Sequence, residues 1–191
     1  MPQAMAERLS EPARQTLLRV ARDSIQNGLR EGRPLRVRAQ DFNDELQAVR
    51  ASFVTLDRLG QLRGCIGHLE AYLPLVEDVA ENAFAAAFRD PRFPPLAASE
   101  LADLEIHISV LTPAEPMSFD SEADLLRQLR PGVDGLILQD GLARGTFLPS
   151  VWESLPEAED FWRHLKLKAG LPENHWSDSL KVYRYQTESF S

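Results

Sequence analysis

Residues 49–69 read VRASFVTLDRLGQLRGCIGHL, and the reading of this stretch decides the fold. Val49 to Leu56 is rich in β-branched and aromatic residues, with apolar side chains on both faces, which predicts an inner strand. Leu59-Gly60 turns the chain, and Gln61 to Leu69 returns beside the first strand as a hairpin. The returning strand holds LRGCIG at 62–67 and, within it, the only cysteine of the chain.

Outward from the hairpin, helices and further strands alternate. Ser10 suits the N-cap of a helix running to about Arg30, where Ala13, Leu17, Ala21, Ile25 and Leu29 form one apolar stripe until Gly32 and Pro34 break it. Pro74 suits a helix's first turn, and Leu75 to Phe88 follows helical spacing. The alanines at 85–87 permit close packing, and Asp90-Pro91 stops the helix. Leu104, Ile106, Ile108 and Val110 alternate with polar residues as a half-buried strand does. Ser121 to Leu129 predicts a short helix, 135–139 and 144–148 a hairpin about Asp140-Gly141, 157–169 a helix ended by Gly170, and Leu180 to Tyr185 a strand. Trp152, Phe161, Trp162 and Trp176 are expected to pack between the last helices and the sheet.

Antiparallel hairpins interleaved with helices give an α+β fold, a largely antiparallel sheet flanked by helices. Residues 1–9 read as an N-terminal tail and 10–191 as a single domain. The formal net charge of −8 argues against nucleic acid or an anionic membrane as the main partner, since both require a basic surface. One cysteine excludes an internal disulfide, a Cys-x-x-Cys pair and an iron–sulfur cluster held by one chain. Met1 to Leu9 has no apolar core of the signal-peptide kind, so a reduced cytoplasmic protein is expected.

Strand alternation puts Arg63, Cys65 and Gly67 on one side, with Leu62, Gly64 and Ile66 facing the core. A guanidinium beside a thiol favours the thiolate that a nucleophile needs, and flanking glycines leave backbone N–H groups open to an oxyanion. The competing reading is a buried cysteine acting as a small hydrophobe. His68 is the natural partner of a Cys–His pair, and a bulge at Gly67 would bring it alongside Cys65. No histidine has metal-ligand spacing, so no metal is assigned. Asp90-Pro91-Arg92-Phe93-Pro94-Pro95 is a stiff loop; it suits an arginine that recognises carboxylate or phosphate, or a plain helix stop with Phe93 in the core and Arg92 paired to Asp90. Lys166 and Lys168 sit where cations favour a helix C-terminus.

SFVTL at 52–56, LRGCIG at 62–67, DPRFPPL at 90–96, ISVLT at 108–112, GVDGLIL at 132–138, FLPSVWE at 147–153 and KAGL at 168–171 occur in the order found in the AMMECR domain family. The chain resembles that family, whose prokaryotic members are called AmmeMemoRadiSam system protein A, over about residues 10–190. The resemblance implies an AMMECR-type fold with a large and a smaller lobe. It marks Arg63, Gly64, Cys65 and Gly67 as candidate functional residues, adds Asp90 and Arg92 from the second motif and Lys168 from the last, and leaves His68 as a weaker addition. It implies association with a Memo-like protein and a radical-SAM enzyme, and it leaves the cofactor and the reaction open. Two functions follow: a small-molecule- or substrate-binding protein, or enzyme, with a reactive Cys65; and a non-catalytic adaptor for those partners.

Overall fold

The computed structural model describes residues 8–191. In chain order the elements are α1 (Glu11–Glu31), α2 (Asp44–Gln47), β1 (Ser52–Arg58), β2 (Gln61–Gly67), α3 (Leu75–Phe88), β3 (Leu104–Leu111), β4 (Glu115–Pro116), α4 (Glu122–Gln128), β5 (Gly135–Asp140), β6 (Ala143–Phe147), α5 (Ala158–Lys168), β7 (Lys181–Tyr185) and β8 (Thr187–Phe190). The chain divides into two compact units, one of residues up to Thr112 with Glu188–Ser191, the other Pro113–Thr187. The tail expected at 1–9 lies outside the described residues except for Arg8 and Leu9. Leu9 is buried, and its N–H donates to Glu188.

In the first unit β1 is the inner strand that its two-sided apolar pattern predicts, in a sheet ordered β2-β1-β3-β8. β1 runs antiparallel to β2 and to β3. Val54, Leu56, Ile106 and Ile108 turn one face inward to meet the stripes of α1 and α3. α1 starts at Ser10, whose hydroxyl accepts from the Ala13 N–H, and ends at Gly32 in the left-handed region that glycine adopts at little cost. Gly28 lets α1 approach α3, since a Cβ there would run into Phe84 and Phe88. Gly64 does the same between β2 and α3, where the Ala86 carbonyl occupies the space of a side chain. That is the close packing expected of the alanine run.

The second unit holds a sheet ordered β4-β7-β5-β6. Its core gathers Leu125, Leu136, Leu138, Trp152, Phe161, Trp162 and Leu165. The expected packing of Trp152, Phe161 and Trp162 is found there, with the Trp152 and Phe161 rings stacked at 3.8 Å. Trp176 departs from the expectation: it is partly exposed and meets Phe119 instead. β8 is a strand that the sequence pattern does not announce. Among the described residues no helix is long and apolar enough to cross a membrane.

Candidate functional site

The hairpin's register builds the site. Arg58 faces Gln61 and Asp57 faces Leu62, but Leu56 faces Gly64 and Thr55 faces Cys65. Arg63 is therefore an extra residue in β2, a bulge, and every side chain beyond it changes sides relative to uninterrupted alternation. Two expectations are corrected by this. Leu62 does not join Gly64 and Ile66 against the core; it is 42% exposed. Arg63 does not stand beside Cys65; it turns into the structure and is buried.

Arg63 meets Glu100, donating from Nε at 2.9 Å and from Nη2 at 3.1 Å, and Nη2 also reaches the Pro94 carbonyl at 2.8 Å. The Ala97 N–H adds a bond to the same carboxylate. Held first by Arg63 and then by Ala97, Glu100 is pulled down to about 2 against the opposing effect of burial. Arg63 Nη1 is buried with no hydrogen-bond partner among the described residues. The cation thus braces the 90–100 segment rather than the thiol.

A different guanidinium reaches the cysteine's neighbourhood. The Thr55–Cys65 pair is of the kind whose N–H groups point away from the partner strand, and β2 is an edge strand. The outward Cys65 N–H donates to Asp90 Oδ2 at 3.0 Å. Arg92 grips the same buried carboxylate with its backbone N–H and Nε on Oδ1, both at 3.0 Å, and with Nη2 on Oδ2 at 2.8 Å. Asp90 is held well below the usual carboxylate range, first by the Arg92 side chain and then, against burial, by the two backbone donors. Arg92 is held above the ordinary arginine value by Asp90 first, and Cys65 adds to it when charged. Cys65 itself is half-buried, its Sγ 3.2 Å from Thr55 Oγ1. Phe93 is only half-buried, with the Arg92 and Arg63 guanidinia 5.4 Å and 5.8 Å from its ring centre. Leu96 is the loop's buried apolar residue. Gly67 has no room for a side chain beside Phe53 and Ser52.

His68 goes elsewhere. No bulge forms at Gly67, and the His68 ring pairs with Asp78 of α3 through Nδ1 at 2.6 Å rather than with Cys65. His107 pairs with Asp57. Lys168 lies in the second unit, donating to the Thr146 carbonyl and standing over Phe147. Lys166 lies in the last turn of α5 as expected, but it is only 2% exposed and bonded to Glu122 and to the His175 carbonyl. Its place on the buried Trp162–Leu165 stripe of α5 is the signal that reveals it. Thr55, Asp78 and Glu100 are the site residues that motif reading passes over. Asp78 is betrayed by lying on the apolar stripe of α3 four residues from Asn82. Among the described residues no group of three or more His, Cys, Asp or Glu side chains gathers as a metal site would.

The fold and this corner together define an α+β protein with an arginine-capped cysteine hairpin at a sheet edge. The chain belongs to the AMMECR1 family, whose pattern it matches over residues 18–190. It is 43% identical over 188 residues to a protein of Methanothermobacter thermautotrophicus, covering 95% of each chain. A Thermotoga maritima protein is 40% identical over 172 residues, with 87% of this chain and 91% of that one covered. The crystal structure of an uncharacterised Pyrococcus horikoshii protein superposes with a TM-score of 0.81 at 36% identity, covering 91% of this chain and 88% of the other.

Proposed function

We propose that the corner made by Cys65, Asp90 and Arg92 binds a small molecule carrying a carboxylate or phosphate and presents it to the Cys65 thiol. The observation that carries this reading is the Asp90 carboxylate, which takes the Cys65 N–H on one side and the Arg92 side chain on the other. It fixes a 55% exposed guanidinium close to a half-buried thiol and spends only two of the three side-chain nitrogens, leaving Nη1 uncommitted among the described residues. Arginine so held suits bidentate or charge-assisted recognition of an anion. The chain then acts as a substrate-binding protein, or as an enzyme through Cys65, in a cytoplasmic setting with a Memo-like protein and a radical-SAM enzyme. Gly64 and Gly67 serve the site by letting β2 lie against α3 and Phe53.

Protection of the thiol tests the reading. Iodoacetamide alkylation of Cys65 is followed with increasing inorganic phosphate or succinate, in the wild type and in Arg92→Ala. Protection at millimolar anion, weakened about tenfold in the variant, is expected, a factor worth 1.4 kcal/mol of binding. Equal alkylation with and without either anion sinks it.

The same loop favours a second reading, a non-catalytic adaptor. It is stiffened by three prolines and displays Arg92 beside Phe93, residue types enriched where partners bind. Co-purification with the two partners, retained by Cys65→Ala and lost by Arg92→Ala, supports the adaptor; association lost by neither variant and anion protection of the thiol support the first reading.

A further inference from the structure

At the end of β2 the chain builds a second polar cluster, beneath a partly exposed imidazole. Ser52, Asp78 and Asn82 are all buried. Asp78 Oδ2 accepts from Ser52 Oγ at 2.6 Å and from Asn82 Nδ2 at 2.9 Å, while Oδ1 faces His68 Nδ1 at 2.6 Å. Burial pushes Asp78 upward, opposed by its bonds from Ser52 and His68. An ionised carboxylate only accepts, so a neutral imidazole facing it donates from Nδ1 and presents its lone pair on Nε2.

The other three histidines are arranged differently. His107 and His175 turn Nε2 onto a carboxylate, at Asp57 and Asp140. His164 Nδ1 meets only the Asp160 carbonyl one turn back on its own helix. Among the described residues His68 alone has Nδ1 on a buried carboxylate and Nε2 uncommitted, with the side chain 28% exposed. The strand end needs no such device to be anchored, because the His68 N–H already donates to the Ser52 carbonyl at 3.0 Å. Tyr72, 60% exposed, lies beside the imidazole with ring centres 5.0 Å apart and planes at 55°.

We propose that His68 is the base of a second site, with Asp78 as its positioning residue, and that the site takes a proton from a hydroxyl or carbon acid of a small uncharged aromatic molecule. The proton passes from the substrate to the Nε2 lone pair, and its electron pair stays with the substrate. Asp78 stabilises the imidazolium, and the exposed ring edge returns the proton to water. Tyr72 offers the flat surface on which an aromatic substrate packs. No part of this depends on Cys65 or on anion binding at Arg92.

A neutral aromatic carbon acid, 5-nitrobenzisoxazole, is the probe. Loss of its C3 proton to a base breaks the ring N–O bond and releases 2-cyano-4-nitrophenolate, read by absorbance. The full chain is expected to open it at least about tenfold faster than the same concentration of N-acetylhistidine, within what a positioned base supplies. His68→Gln removes the gain, and Asp78→Asn removes most of it and changes the pH profile. A rate equal to that of N-acetylhistidine, or one unchanged in His68→Gln, overturns the proposal. Should Asp78→Asn not fold, imidazole nitrogen NMR of the wild type decides: the Nδ1–H tautomer is expected, and the Nε2–H tautomer overturns it.

Discussion

Asp90 receives four hydrogen bonds on two oxygens, three from Arg92 and one from the Cys65 backbone. Its side chain is buried while Arg92 remains half in water, so removing the carboxylate leaves a solvated cation and takes the acceptor from two backbone N–H groups, those of Cys65 and Arg92. Asp90→Ala is expected to cost about 2 kcal/mol in chemical unfolding, the scale of losing bonds to a charged group. Because the folded carboxyl titrates lower than the unfolded one, its contribution is complete above the ordinary aspartate value of 3.8 and is lost as pH falls below it. Glu100 obeys the same sign over a window from 4.5 down to about 2. Glu100→Gln strips a buried Arg63 of its counter-charge, for which about 3 kcal/mol is expected. The variant should also show a shallower loss of stability between pH 5 and pH 3 than the wild type, measured by urea unfolding at each pH.

At the scale of elements, the contact of β2 with α3 is the least forgiving. Gly64→Ala sets a methyl against the Ala86 backbone carbonyl, which no rotamer relieves. A loss of about 3 kcal/mol in thermal or chemical unfolding is expected, at the upper end for overpacking. The helices and hairpins were legible because their signals are local: Ser10 and Gly32 for α1, Leu59-Gly60 for the β1–β2 turn. The bulge was not, because it is Glu100, far along the chain, that draws Arg63 inward. An uninterrupted two-residue hairpin would set Leu56 opposite Arg63; the bulge sets it opposite Gly64 and brings Cys65 to Thr55. So motif reading singled out Cys65, Asp90 and Arg92, which Asp90 joins by hydrogen bonds, but it set Arg63 rather than Arg92 beside the thiol. β8 was illegible for a related reason. Thr187–Phe190 is short and half polar, and its order comes from the neighbouring β3.

Across the whole molecule the second unit is an insertion between β3 and β8 of the first. Glu188 of β8 accepts from the Leu9 N–H and pairs with Arg14 of α1 at 2.6 Å, so β8 closes the first unit at its helix as well as its sheet. Glu188→Ala is expected to cost about 2 kcal/mol, since the pair is largely out of water and also holds a backbone donor. Differential scanning calorimetry should show that loss in the transition of the first unit, and the Trp152–Phe161 core of the second should report little of it by tryptophan fluorescence.

The place of β8 in the chain sets an order of assembly. A ribosome releases α1 through β3 and then all of 113–187 before it supplies the strand that borders β3. Meanwhile β3 carries an open edge, of the kind that invites pairing with another chain. The second unit, by contrast, is contiguous and can condense as soon as it emerges. A released chain that ends before Thr187 should therefore yield a protease-resistant second unit attached to a first unit that is still cleaved.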